Sequence, residues 1–172
     1  KNDSDLLKYA LLSEKESYQL SEEQDKAYKE LSKNHSSFRV HLLQGTTGSG
    51  KTIVYFKVIE KIINIGLQAL ILLPEIGLTN EFEKKFKSYF GFEAAVWHSK
   101  VSPKKRKIIW NGLSAGKIKV VLGARSSLFL PFKKLGLITV DEEHDQSYKQ
   151  DEGIIYNARD MAISRAKHEN IP

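Results

Sequence analysis

Gly45-Thr46-Thr47-Gly48-Ser49-Gly50-Lys51-Thr52 has the spacing G-x-x-x-x-G-K-T, and each position has a chemical reason. Glycines let successive backbone N–H groups turn toward one anion without Cβ clashes, and a following helix aims its N-terminus at the same charge. Lys51 then reaches the β- and γ-phosphates of a nucleotide, and the Thr52 hydroxyl is a ligand for Mg2+. Such a site needs an acid at the end of a neighbouring strand. Leu137-Ile138-Thr139-Val140-Asp141-Glu142-Glu143-His144 supplies it. Asp141 is placed to hold Mg2+ directly or through water, and Glu142 to orient or deprotonate the attacking water. The chemistry indicated is Mg2+-dependent hydrolysis of a nucleotide's terminal phosphate. His144 stays open between a coupling hydrogen bond and a plain surface histidine.

These residues need elements to position them. Ser21-Glu22-Glu23-Gln24 is a capping-box sequence that opens a helix to about Ser32. Phe38 to Leu43 reads as a strand that enters the glycine-rich loop, and a helix follows to about Ile65, where Gly66 can end it. Apolar runs at 69–73, 94–97, 118–122 and 137–140 have the look of strands buried on both faces. Helix candidates lie between and after them at 79–90, 103–115 and 157–168, with Ser102-Pro103 as N-cap and first-turn proline of the second. Strands alternating with helices predict an α/β fold: one three-layer domain with a mostly parallel sheet. Residues 1–20 read as a polar leader or linker from a preceding domain, with a short helix around Leu6 to Leu12, and the domain proper as 21–172.

Composition bounds the rest. A chain of 172 residues with 41% hydrophobic content fits one domain at about 100–200 residues each. The absence of cysteine excludes a disulfide scaffold, thiol catalysis and cysteine-ligated zinc, so no zinc is expected in this stretch. No apolar run approaches the roughly 20 residues of a membrane span, and no membrane partner is expected. The net charge of +6 is permissive for nucleic acid, since phosphate contacts supply most of such affinity.

Several segments after the strands offer nucleic-acid chemistry beside a plainer role. Thr79 can cap the helix it precedes. Arg125 and Ser126, in Gly123-Ala124-Arg125-Ser126-Ser127, form a phosphate-gripping set. Lys104-Lys105-Arg106-Lys107 reads as a solvated helix face. The segment 145–160 carries Gln146, Tyr148, Lys149, Gln150, Tyr156 and Arg159; aromatic faces stack on unpaired bases and cations grip the backbone, or else the tyrosines pack on the domain. Gln24 is either the return arm of the capping box or a reader of the adenine edge.

The two nucleotide motifs resemble those of superfamily 2 helicases, with Asp141-Glu142-Glu143-His144 as a DEAD/DEAH-like second motif. GTTGSGKT (45–52), LPEIGLT (73–79), HSKVSPKKR (98–106), GARSSLFLPFKKLGLITVDEEHDQSYKQDEG (123–153) and YNARDMAISRAK (156–167) are more narrowly similar to the bacterial replication-restart (PriA, primosomal protein N′) helicase family. The resemblance covers roughly 20–172. It implies the first RecA-like P-loop NTPase lobe of a bacterial, cytoplasmic ATP-dependent 3′-to-5′ DNA helicase acting in replication restart and primosome assembly. It implies that a second lobe and a zinc-binding insertion follow and that DNA-binding domains precede. Single-stranded and forked DNA, primosome proteins and single-strand-binding proteins are the implied partners. It turns Gln24 toward adenine reading and makes Thr79, Arg125, Ser126, Tyr148, Lys149, Tyr156 and Arg159 the implied DNA contacts. Ala124 stands where the family has Thr, and Lys100 where Gly is usual. The alternatives are another superfamily 2 translocase, RecQ-like or restriction-type, and a nucleotide-dependent regulatory module, against which Glu142 argues.

Overall fold

Four short apolar runs pair side by side and in parallel. β1 (Gln68–Leu72), β2 (Ala95–Trp97), β3 (Val120–Gly123) and β4 (Leu135–Val140) form one sheet in the order β2-β3-β1-β4. The computed structural model describes residues 3–10, 14–46, 48–150 and 156–172. The helices are α1 (Asp3–Leu6), α2 (Glu22–Leu31), α3 (Lys51–Asn64), α4 (Asn80–Phe90), α5 (Pro103–Ser114) and α6 (Ala158–Glu169). A short antiparallel ribbon, β5 (Lys149–Gln150) with β6 (Tyr156–Asn157), leads into α6.

Successive residues of a strand point to opposite faces, and β1 shows it. Ala69 and Ile71 pack under α3 and α4 with Phe56, Ile59, Phe86 and Phe90, whereas Leu70 and Leu72 pack under α5 and α6 with Ile109, Leu113, Ala162 and Ala166. This is the expected three-layer α/β arrangement. The caps follow the sequence signals: Ser102 accepts from the Lys105 N–H ahead of Pro103, and Ser21 and Gln24 close a full capping box. The stretch read as a leader lies against the domain. Leu6 and Tyr9 are buried in the α5/α6 core, the Glu16 N–H donates to the Ser88 carbonyl at 2.9 Å, and Tyr18 stacks on Tyr89 at 5.3 Å. Residues 11–13 of the helix expected there lie outside the described residues.

The strand expected at 38–43 is not formed. Val40 and Leu42 are 62% and 67% exposed, and the segment pairs with no strand among the described residues. Its alternating apolar residues favour a strand, but a ladder needs a neighbouring edge about 4.8 Å away. The free edge of β4 is instead separated from 39–45 by a cleft, and the Ile138 N–H on that edge donates to the Pro172 carbonyl at 3.1 Å.

Gln68 ties three elements at the base of the sheet. Its buried amide donates to the Leu113 and Ile118 carbonyls at 3.2 and 2.6 Å and accepts from the Lys134 N–H at 2.9 Å. Gln68→Leu strands these groups at about 1–3 kcal/mol for each buried unpaired partner. We expect urea unfolding to show a loss of at least the lower figure; an unchanged midpoint would show that the partners find other bonds.

Candidate nucleotide site and strand-end edge

Parallel strands finish at one edge, and open α/β sheets bind ligands there. The loops after β1, β2, β3 and β4 meet at this edge. On the far side of β4's cleft stands the glycine-rich loop. Gly45, Lys51, Tyr55, Asp141, Glu142 and His144 line one cavity of about 790 Å3, so the two motifs separated by ninety residues of chain share a single space.

The loop itself depends on backbone that side chains resist. Gly48 and Gly50 have φ of +81° and +79°, and Gly50 is the N-cap of α3. A Cβ at Gly50 would also lie 2.3 Å from Gln24 Nε2. Lys51 folds back over the loop, donating from Nζ to the Gly45 carbonyl at 2.6 Å and the Thr46 carbonyl at 3.3 Å. Thr47, expected among the cofactor-binding residues, lies outside the described residues; of the other loop residues, Gly45 and Lys51 line the cavity, and Thr46, Gly48, Ser49, Gly50 and Thr52 stand beside them in the loop and the first turn of α3. Gln24 closes the capping box and also holds the loop. Its Oε1 accepts from the Ser21 N–H at 2.9 Å, and its Nε2 donates to the Ser49 carbonyl of the loop at 2.9 Å.

Asp141 is bonded on every side. Its N–H donates to the Leu72 carbonyl at 2.9 Å, Oδ1 accepts from the Glu142 N–H at 2.9 Å, and Oδ2 accepts from the Tyr55 hydroxyl at 2.8 Å. Glu142 has a φ of +49°, a left-handed conformation that costs a non-glycine residue about 1–3 kcal/mol and persists only where neighbours impose it. The turn is closed by the Asp145 N–H donating to the Glu142 carbonyl at 2.9 Å. The Glu142 carboxylate is exposed, with His144 Nε2 3.3 Å from its Oε2, and the imidazole is itself exposed.

The oxygen donors suit a small hard cation. Thr52 and Asp141 offer a hydroxyl and a carboxylate, and Mg2+ is commonly held by one or two carboxylates plus phosphate oxygens. Among the described residues, no group of three or more His, Cys, Asp or Glu could hold a metal without such help.

The expected nucleic-acid contacts divide. Lys149 is exposed, and Arg125 Nη1 donates to the Lys149 carbonyl at 2.5 Å. Ser126 Oγ accepts from Trp97 Nε1 at 3.1 Å, and Tyr156 lies edge-on to Phe129 at 6.0 Å. Thr79 caps α4 by accepting from the Phe82 N–H at 3.2 Å. Arg159 bonds Glu143 at 3.0 Å, and that carboxylate raises the guanidinium pKa further. Tyr148 requires a correction. It is 1% exposed, so no base can stack on its ring. The ring belongs to the core under α6, and the hydroxyl lies 2.5 Å from the Asp141 carbonyl and 3.2 Å from the Leu72 carbonyl. The ribbon tip, 151–155, lies outside the described residues. Lys104, Lys105 and Lys107 are exposed on α5 as a solvated face, while Arg106 turns back onto Trp97 and the His98, Ser99 and Val101 carbonyls.

The residue that sequence reasoning missed is Tyr55. Its signal was helical spacing: it follows Lys51 by four and Thr52 by three, the separations that share a helix face. In an apolar stretch, a tyrosine reads as core.

The DEAD/DEAH box helicase family matches residues 21–170, and the chain belongs to that family. Within it, the chain is similar to the replication restart protein PriA of several bacteria. It is 52% identical over 146 residues to that of Rickettsia felis, 85% of this chain and 22% of the relative. It is 47% identical over 137 residues to that of Haemophilus influenzae (80% and 19%), and 42% over 155 residues to that of Bacillus subtilis (89% and 19%). The chain thus spans about a fifth of the length of these relatives. A solved structure of RecG bound to a three-way DNA junction shares the fold at a TM-score of 0.65 and 26% identity, covering 90% of this chain and 21% of that one. Membership brings nucleotide binding and, in general, use of a divalent metal. Among the described residues no helix is long and apolar enough to cross a membrane.

Proposed function

We propose that the chain is the ATP-binding lobe of an ATP-dependent 3′-to-5′ DNA helicase that acts in replication restart and primosome assembly. The observation that carries this reading is the convergence of Lys51 and Asp141–Glu142 on one cavity. The β- and γ-phosphates take the place of the Gly45 and Thr46 carbonyls as partners of the Lys51 ammonium. Thr52 and Asp141 hold Mg2+, which neutralises developing phosphate charge when bound. Glu142 accepts a proton from the attacking water, and its exposure at the cavity leaves room for that water. Gln24, fixed to the Ser49 carbonyl, connects the adenine end of the nucleotide to the phosphate loop.

DNA belongs at the strand-end edge. PriA relatives and the junction-bound RecG support single-stranded and forked DNA as the substrate class. Arg125, Lys149, Ser126 and Tyr156 are the contacts we assign, with Thr79 offering backbone beside its cap and Arg159 available once Glu143 is released. Turnover is completed by a second lobe, whose arginine finger is worth about 10³–10⁵ in rate in related phosphoryl transfer. Primosome and single-strand-binding proteins act on the intact chain.

Lys51→Ala should lose most nucleotide affinity in calorimetric titration, while Glu142→Gln should bind nucleotide and fail to turn it over. Equal turnover by wild type and Glu142→Gln would remove Glu142 from the mechanism.

Coupling of DNA to ATP runs through the ribbon. A phosphate that draws on Arg125 or Lys149 moves the strand whose preceding residue, Tyr148, is bonded to the Asp141 carbonyl, one residue before the strained Glu142. Tyr148→Phe keeps the ring and removes the hydroxyl. In the intact chain, nucleotide affinity should hold while stimulation of ATP turnover by single-stranded DNA falls; undiminished stimulation would assign Tyr148 to packing alone.

A further inference from the structure

Tyr55 occupies a position that neither nucleotide motif includes. It lies on α3, and its side chain is 7% exposed among Phe56, Val58 and Ile59. A buried tyrosine places its ring in the core but still needs a partner for its hydroxyl. Here that partner comes from the end of β4: the hydroxyl donates to Asp141 Oδ2 at 2.8 Å. Thr52 lies three residues back along α3, on the same helix face as Tyr55. Tyr55 is therefore bonded to one of the cation-holding residues and shares a helix face with the other.

The donor and acceptor arithmetic favours one arrangement. A threonine hydroxyl that gives a lone pair to a cation keeps its proton to donate, and a tyrosine oxygen on the same helix face can accept it. The tyrosine proton in turn goes to the carboxylate. A carboxylate has about four lone-pair sites; Tyr55 and the Glu142 N–H take one on each oxygen of Asp141, so both oxygens keep capacity for a cation or its water.

We propose that Tyr55 is a positioning residue of the metal site: its hydroxyl fixes the Asp141 carboxylate relative to Thr52, so that the two offer their oxygens to one divalent cation together. The proposal rests on the reading of this cavity as a Mg2+–nucleotide site. Outer partners of metal ligands act in this way generally, and their loss costs roughly 10–100-fold in metal affinity.

The test compares wild type, Tyr55→Phe and Lys51→Ala in the intact chain, by titrating a fluorescent ADP analogue at a series of Mg2+ concentrations. Tyr55→Phe should bind metal-free nucleotide like wild type but need roughly tenfold more Mg2+ for half of the metal-dependent gain in affinity. A purely structural tyrosine would weaken binding equally at all Mg2+ concentrations. An unchanged Mg2+ requirement in a folded Tyr55→Phe protein overturns the proposal. If Lys51→Ala also binds nucleotide normally, the nucleotide-site reading itself fails, which separates the two failures. Should Tyr55→Phe not fold, wild-type protein carrying ring-fluorinated tyrosine serves instead. The Tyr55 fluorine signal, assigned by mutation of the other tyrosines, should move when Mg2+ is added to the nucleotide-bound chain; a signal that stays in place overturns the proposal.

Discussion

Asp141 is held at three of its atoms by three different parts of the chain. Its amide is committed to β1 through Leu72, its carbonyl to Tyr148, and its carboxylate to Tyr55 on α3. Each bond is modest alone, with a net value of about 1 kcal/mol for neutral partners and more where one partner is charged. Together they leave the acid little freedom, and preorganisation of this kind is what a phosphoryl-transfer site requires, since positioning and electrostatics do nearly all of the work. The register of β1 against β4 matters for the same reason. A slip of one residue would turn Leu72 away and reverse which residues of β4 face each layer.

The strand-end edge is densely paired before any ligand arrives. Lys51 bonds its own loop, Arg125 the Lys149 carbonyl, Ser126 the Trp97 indole and Arg159 the Glu143 carboxylate. Any anion that binds at this edge must therefore exchange partners with these groups rather than fill vacancies. Exchange at exposed groups costs little, because surface ion pairs contribute about 0–1 kcal/mol. Exchange also transmits information: a cation that leaves a carbonyl or carboxylate frees the segment to which it was bonded. Arg159 and Glu143 form such a pair, and Glu143 stands two residues after Asp141.

What the sequence disclosed depended on how tightly chemistry restricts residue type. Only glycine tolerates the backbone at Gly48 and Gly50, and only an acid serves at Asp141, so both motifs were legible without a structure. The buried strands were legible because apolar runs of four to six residues have few other uses. The segment 38–43 has strand-like alternation and forms no ladder, since pairing is a property of the neighbour as much as of the strand. Tyr148 was misread for a related reason. Its companions Gln146, Lys149 and Gln150 suggest a polar surface loop, and nothing local reveals that its hydroxyl completes the end of the sheet. Tyr55 was hidden by the reverse effect, a polar contact carried by a residue in an apolar helix. Gln24 closes the capping box that its sequence signals, and its amide has enough donors and acceptors to hold the loop as well.

The central claim is that the glycine-rich loop and Asp141 hold one metal–nucleotide complex between them. Paramagnetic Mn2+ supplied with ATP analogue in place of Mg2+ tests it directly, because it broadens amide signals near the ion. The account predicts strong broadening at Gly50, Lys51, Thr52, Asp141 and Glu142, and none at Lys104 to Lys107 on α5. Broadening of the loop without Asp141, or of neither, would contradict a shared site.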